Sequence, residues 1–518
     1  EKPAVTQAMA DAFGAVMDMA TSPTSILGEL KHVGVARGRL AFEDQATGRA
    51  VTFEGLEFAF DKSRAMAHVS LSARGPNGRW RIDARTSGDQ AMDVEASDLT
   101  FDELALVGGL RDPDFDFDMP LSFKMRLSMG AEGRLGAASG SFSTGSGYVY
   151  LKDPDHEPFQ IDSLQGGLRY DPAARRFLLE GVEWRGGASR IAASGAVTPP
   201  ASAGEAWRIE LASLPGSVFG PERAGDFPMT LERGRVSARF SSDAGTLSID
   251  RLEAFGPHID LLGSIEAAFR DPADPRLRID LAIGKMPTTA VLRLWPSTVA
   301  PPVRGYLMEN LQGGTVSGKL SLDFDVASFA ELRRHDPPTD PSLRFDFVVS
   351  NGGLQLLPGL PPLSGVEAVG VVTGRTTSLT FSRGAMEGRN GRKLTLVSGT
   401  FTAPENEKTP APANVIARLT GPMEAVADIL GREGMKPYGG MQIDSSVMKG
   451  QVDAQLSVNL KLGKKDVKPG DTVVRVNANI SNLTIDKLVG KEKLEQGSLS
   501  VISDPAGLKA TGQGRLFG

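Results

Sequence analysis

The sequence predicts a mainly β protein built as a repeating antiparallel sheet, and three observations carry that prediction. The first is a glycine that opens an alternating apolar/polar strand and returns roughly 28 to 29 residues later. It runs from Gly167 (GLRY) to Gly195 (GAVT), from Gly234 (GRVSARF) to Gly263 (GSIEAAF), and from Gly370 (GVVTG) to Gly399 (GTFTA). A period of this size marks an array whose units bury their faces only by stacking on neighbours. The second is period-two hydrophobicity through most of the chain. The third is the supply of turn residues, Gly 60 and Pro 33, which suits many short strands joined tightly. Period-two strands build closed sandwiches and barrels as well as open sheets, and the pattern alone leaves both.

The bulk composition narrows the class. At 518 residues the chain would ordinarily form three or four domains, but a repeat array grows in one dimension and escapes that division. It is 40% hydrophobic and 23% charged, with mean hydropathy −0.15. A net charge of −6 gives no mark of nucleic-acid binding. The absence of cysteine excludes a disulfide scaffold, thiol catalysis and thiolate metal sites. No run of 18 apolar residues is present, so no transmembrane helix is expected within these residues. The chain opens at Glu1 and ends within a strand-like segment, so any membrane anchor is expected outside it.

Taken in order, residues 1–27 predict an amphipathic helix, with Val5, Met9, Phe13, Val16 and Met17 roughly on one face. Residues 28–285 predict sheet repeats that begin with RGRLAFED (38–45), VTFEGLEFAF (51–60), AMAHVSLSA (65–73) and GRWRIDAR (78–85). A helical insert over 286–316 is split at Trp295-Pro296 and ends at Gly313-Gly314. Strands resume over 317–401, in GKLSLDFDVA (318–327) and LRFDFVVS (343–350). There Leu320, Leu322, Phe324 and Val326, then Leu343, Phe345 and Phe347, share one face, with Asp323, Asp325, Arg344 and Asp346 on the other. Residues 402–420 read as a flexible Pro-rich polar loop and a short strand, 421–440 as a second helical insert, and 441–518 as further sheet repeats.

The stretch LWPSTVAPPVRGYLMENLQGGTVSGKLSLDFD (294–325) resembles the AsmA-like proteins of Gram-negative envelopes, of the YhdP type. There a Pro-broken helical pair ends in a Gly-Gly turn and launches amphipathic strands. The C-terminal part is similar too. It has a Gly-Pro helix (421–435), a strand with Gly450, Val452, Ala454 and Leu456, a short I-D-K-L element (485–488), and closing strands over 497–514. The resemblance covers about 230–518, and its motifs are structural. It implies an elongated repeating β-groove, a U-shaped antiparallel sheet with an apolar interior and a few short helical inserts. It implies a periplasmic protein, tethered to the inner membrane by a helix outside this chain, that carries phospholipid between inner and outer membranes.

The physics agrees with such a role. A diacyl phospholipid has about 30 methylenes at about 0.8 kcal/mol each, so crossing water unaided costs on the order of 20 kcal/mol or more. An apolar trough removes most of that cost and leaves the headgroup in solvent. About 30 strands at about 4.8 Å spacing would reach roughly 140 Å at most. The candidate groove residues are Leu247, Ile249, Ile279, Leu281, Leu320, Leu322, Phe324, Leu343, Phe345 and Phe347. Lys461, Lys464, Lys465 and Lys468 form a basic loop. It is either a solvated hairpin tip or a contact for anionic headgroups, at about 1 kcal/mol per lysine.

Catalytic and metal chemistry finds no foothold. Asp112, Asp114, Asp116 and Asp118 alternate in the manner of calcium ligands, but Phe117 and Phe123 stand where an EF-hand needs Gly and Glu. The five histidines (His32, His68, His156, His258, His335) are scattered, and no G-x-S-x-G or P-loop signature occurs. No metal, cofactor or enzymatic activity is expected. Phospholipid, a membrane at one or both ends, and envelope proteins are the expected partners. The competing reading is an outer-membrane assembly factor that receives a protein client at exposed strand edges. An enzyme acting on envelope polysaccharide would need two carboxylates close across a cleft, and nothing in the sequence selects a pair.

Overall fold

A computed structural model describes residues 31–516 apart from short segments, of which 101–114 and 434–443 are the longest. It is mainly β: among the described residues 74% lie in strands and four short helices occur. Among the described residues there are 31 strands; three form a small separate sheet, and the others pair into antiparallel sheet that does not close into a barrel. The repeating open sheet expected from the sequence is therefore present. The chain divides into two compact units, Glu1–Pro257 and His258–Gly518. The expected helix over 1–27 lies outside the described residues.

In the first unit neighbouring strands of the sheet pair antiparallel, and the alternation sorts side chains onto two faces. One cross-strand row reads Val94, Met125, Gly140, Leu168, Leu179 and Gly195, all apolar. Beside it, Met92, Leu127, Ala138, Tyr170 and Phe177 form a buried cluster, with the two rings 4.9 Å apart.

The opposite face of this unit carries paired charges. Asp83, on Gly78–Thr86, accepts from Arg81 Nε, from Arg81 Nη2 at 3.0 Å and contacts His68 Nε2 at 2.9 Å. The Arg81 guanidinium, then the His68 contact, hold the carboxyl down at about 2. A depressed carboxyl stabilises the fold above its unfolded value near 3.9, and that contribution disappears as pH falls toward 2. Asp83→Asn is expected to cost about 1 kcal/mol at pH 7, because Arg81 is largely exposed and solvent screens the pair. The difference from the native protein should vanish by about pH 2, as read from denaturant titrations across pH. A difference that persists unchanged at low pH would assign the effect to packing instead.

The glycine repeat has a different structural meaning from the one expected. Gly195, Gly370 and Gly399 lie inside the strands Ser189–Thr198, Leu363–Thr373 and Lys393–Ala403 rather than opening them. Each period of 28 to 29 residues spans two strands with their turns, which returns the chain to its starting direction. Close approach selects glycine there: a Cβ on Gly195 would stand 1.9 Å from the Glu210 carbonyl oxygen.

In the second unit the paired order runs Ile259–Ala268, Arg276–Pro287, Thr315–Phe324, Leu343–Leu354, Leu363–Thr373, Thr377–Glu387, Lys393–Ala403, Ala411–Pro422 and Met448–Leu462. Val473–Val489, Glu492–Asp504 and Gly507–Leu516 follow. The helical inserts expected over 286–316 and 421–440 contain the helices Thr288–Leu294, Pro301–Asn310 and Met423–Leu430.

Two expectations need correction. A further helix, Val326–Arg333, begins where the alternation of LSLDFDVA suggested continued strand. Asp325 caps it, its carboxylate accepting from the Ser328 amide and hydroxyl at 2.9 Å each, so the strand stops at Phe324. The short strand expected within 402–420 is the 12-residue strand Ala411–Pro422, buried at every second position up to Leu419, whereas 406–409 of the Pro-rich loop lie outside the described residues. The I-D-K-L element is part of the 17-residue strand Val473–Val489, whose register shifts absorb Asn482 and Lys487 at φ 52° and 66°.

Candidate functional site

The apolar face of the second unit is where the sequence places its largest side chains. Successive cross-strand partners along one row are Leu261, Ile283, Gly318, Phe347, Gly370 and Leu379, continued by Phe401, Val415 and Val458. Phe347 lies across Gly370, and a Cβ there would stand 2.3 Å from its Cζ. The ring also stacks on Phe345, with centroids 4.9 Å apart and planes 22° from parallel. Glycines thus make room for flat aromatic packing on the sheet.

Helices cover part of this face. Arg276–Pro287 ends in Met286-Pro287, and the extended proline (φ −54°, ψ 138°) sends the chain into Thr288–Leu294. Arg304 Nε donates to the Trp295 carbonyl at 2.9 Å, which ties Pro301–Asn310 to the first helix. Met286, Ala290 and Val303 are fully buried beneath them, and the Trp295 ring meets Phe345 edge-on at 6.2 Å.

Between these helices and the sheet lies an apolar cleft with an empty volume of about 1010 Å³, its solvent-open part included. Val291, Trp295 and Leu307 line it from the helices, and Phe345, Ala368 and Leu379 from the sheet. It extends across seven adjacent strands, from Val316 to Leu460. Among the described residues no charged side chain lines it. Its polar groups are engaged: Thr288 Oγ1 donates to the Gly313 carbonyl at 2.7 Å, and Tyr306 OH to the Gln355 carbonyl at 3.2 Å. Burial pushes the Tyr306 phenol up to about 12, so it stays neutral.

Charge is held to the other face. Asp323 accepts from Arg276 and Arg278 at 3.2 and 3.1 Å, Asp346 from Arg344 at 2.6 Å, and Asp453 from Arg418 at 2.6 Å. These guanidinium hydrogen bonds keep the Asp323 and Asp453 carboxyls below the usual range.

The candidate groove residues fall into three groups. Phe345 and Phe347 line the cleft. Leu322, Phe324 and Leu343 are buried, and Phe324 meets Phe329 of Val326–Arg333 edge-on at 6.0 Å. Ile279, Leu281 and Leu320 remain half-buried, as do Leu247 and Ile249 in the first unit. Lys461 is the penultimate residue of the strand Met448–Leu462 and pairs with Asp471 at 3.6 Å, whereas Lys464, Lys465 and Lys468 lie outside the described residues. Asp116 and Asp118 lie on Phe115–Asp118, Asp112 and Asp114 lie outside the described residues, and no group of three or more metal-ligating side chains occurs among those described. No helix of the described residues is long and apolar enough to cross a membrane.

The sequence reading missed the helix-borne half of the cleft. A signal for it exists: Pro287-Thr-Thr-Ala290-Val291 and Pro422-Met-Glu-Ala425-Val426 share the pattern P-x-x-A-V. Each begins a helix from an extended proline with no side-chain cap, and Ala290 and Ala425 are both fully buried.

Fold and site together define a class, an open repeating β-sheet protein whose apolar face is locally roofed by helices. No family model, curated protein or solved structure matches the chain significantly.

Proposed function

We propose that this protein carries phospholipid between the inner and outer membranes of a Gram-negative envelope, sheltering acyl chains on the apolar face of its sheet without catalysis. One observation carries the reading: apolar side chains follow one another from strand to strand on one face and remain half-exposed there. Ile265, Ile279, Leu281, Ile283 and Leu320 form such a group in the second unit, and Val197 and Ile209 in the first, where buried Ala238 separates them from half-buried Ile249. A closed sandwich would bury these positions against a second sheet. Non-directional contact suits a cargo that must move, because each methylene contributes only about 0.8 kcal/mol and no single site holds the lipid fast. The headgroup stays in water, so its solvation is never lost.

The test uses the half-exposed residues rather than the covered ones. Acidic substitutions at Leu322, Phe324 or Leu343 would bury a charge and unfold the protein for reasons unrelated to lipid. Ile279→Asp, Leu281→Asp and Leu320→Asp combined should leave the β-sheet circular dichroism intact. Fluorescent phospholipid transfer between phosphatidylethanolamine/phosphatidylglycerol vesicles should fall at least about tenfold, the loss of roughly 1.4 kcal/mol or more of transition-state or binding free energy. A folded triple variant with undiminished transfer would remove this stretch from the conduit. Polypeptide in place of lipid in the purified protein would favour a client-binding role at strand edges.

A further inference from the structure

The helices over the second unit's apolar face divide it into an open stretch and a roofed one, and the two are chemically different. On the open stretch a lipid can lay down both chains and keep its headgroup nearby. Beneath Thr288–Leu294 and Pro301–Asn310 it meets a mainly apolar lining: among the described residues no charged group lines the cleft, and the polar side-chain atoms of Thr288 and Tyr306 are engaged with backbone carbonyls. Thr377, also in the lining, has an interaction of its own.

We infer that the roofed cleft is a binding site for a single hydrocarbon chain, which makes this stretch of the protein blind to the lipid headgroup. The inference rests on the phospholipid reading above for its biological ligand, but not for its chemistry. Roof and floor touch where Trp295 meets Phe345 edge-on, with centroids 6.2 Å apart, so the cleft is pinched at that point and one chain is assigned to it. The lining spans seven strands, about 29 Å at about 4.8 Å per step. One leaflet of a bilayer's hydrocarbon core is about 15 Å deep, so an extended acyl chain fits along the cleft with room to slide. A phosphate drawn inside would find no cation among the described lining residues. The headgroup must therefore remain at the mouth, where it contributes little to selectivity.

The experiment is photolabelling of the full chain with three probes that share one diazirine-tipped acyl chain: a free fatty acid, a phosphatidylethanolamine and a phosphatidylglycerol. All three should label the same peptides, 301–310 from the roof and 363–373 and 377–387 from the floor. Yields should agree within about threefold. Excess hexadecane, which has no headgroup, should compete in the native protein. Leu379→Trp, which fills the cleft from a half-buried position, should cut labelling there at least tenfold. Competition in the native protein keeps the test decisive if that variant fails to fold. Labelling confined to other strands, or a tenfold preference for one headgroup, would overturn the inference. The two readings fail separately. Labelled cleft peptides without vesicle-to-vesicle transfer would sink the transport role and leave the cleft standing. Transfer without cleft labelling would do the reverse.

Discussion

Replacing Phe345 by alanine is expected to destabilise the second unit by about 3–5 kcal/mol, the range for deleting a buried aromatic side chain. The ring is 7% exposed, stacks on Phe347 and is met edge-on by Trp295, so its loss removes two aromatic contacts as well as buried area. Its position beside the cleft places the effect at the upper end, because the deleted ring merges with space already present and neighbours cannot collapse to fill it. The control is Val348→Ala on the opposite face, where the side chain is 45% exposed and a change within about 0.5 kcal/mol is expected. Denaturant melts of both variants decide the matter. A small effect at Phe345 would mean that the roof helices settle onto the floor and close the gap. Added hydrocarbon should restore part of the lost stability, since a ligand that binds only the folded state stabilises it.

Gly370→Val is the second large effect. Valine favours strands and glycine disfavours them, so an ordinary strand position would gain up to about 1 kcal/mol from the change. Here the new Cβ would stand 2.3 Å from Phe347 Cζ and 2.8 Å from Cε1 and Cε2. The ring cannot simply slide, because Phe345 stacks against it. Overpacking of this kind costs about 1–3 kcal/mol and outweighs the propensity gain. The double variant Gly370→Val with Phe347→Ala supplies the test. Removing the ring should turn the valine from harmful to neutral or helpful, giving a coupling above about 1 kcal/mol in a double-mutant cycle. Additive effects would show that the glycine serves the backbone alone.

Much of the architecture was legible in the alternation. Residues 343–350 and 451–460 read as strands and lie within Leu343–Leu354 and Met448–Leu462. Their apolar and charged faces also sort as read, with Arg344 and Asp346 paired away from Phe345 and Phe347. Period two is enough for this, since every second Cβ points to the same side. It failed where a local signal competes with it. Asp325 ends one strand and caps a helix, although the alternation runs on to Ala327. Glycine also misled, because turns and close strand approach select the same residue for different reasons.

The sequence by itself determined a mainly β chain of alternating strands, one apolar face and one charged face, with helical inserts near 286–316 and after 421. It did not determine which apolar residues are covered. Leu281 and Leu343 look equivalent in the pattern, yet one is half-buried and the other 1% exposed. Only the tertiary structure decided that, by laying helices over some strands and not others. The cleft joins Thr288 to Leu460, far apart in the chain, through a stack of paired strands that each add one register step. Local periodicity fixes which way a side chain points, whereas its cover comes from wherever distant elements dock, through contacts that are non-directional and leave no period in the sequence.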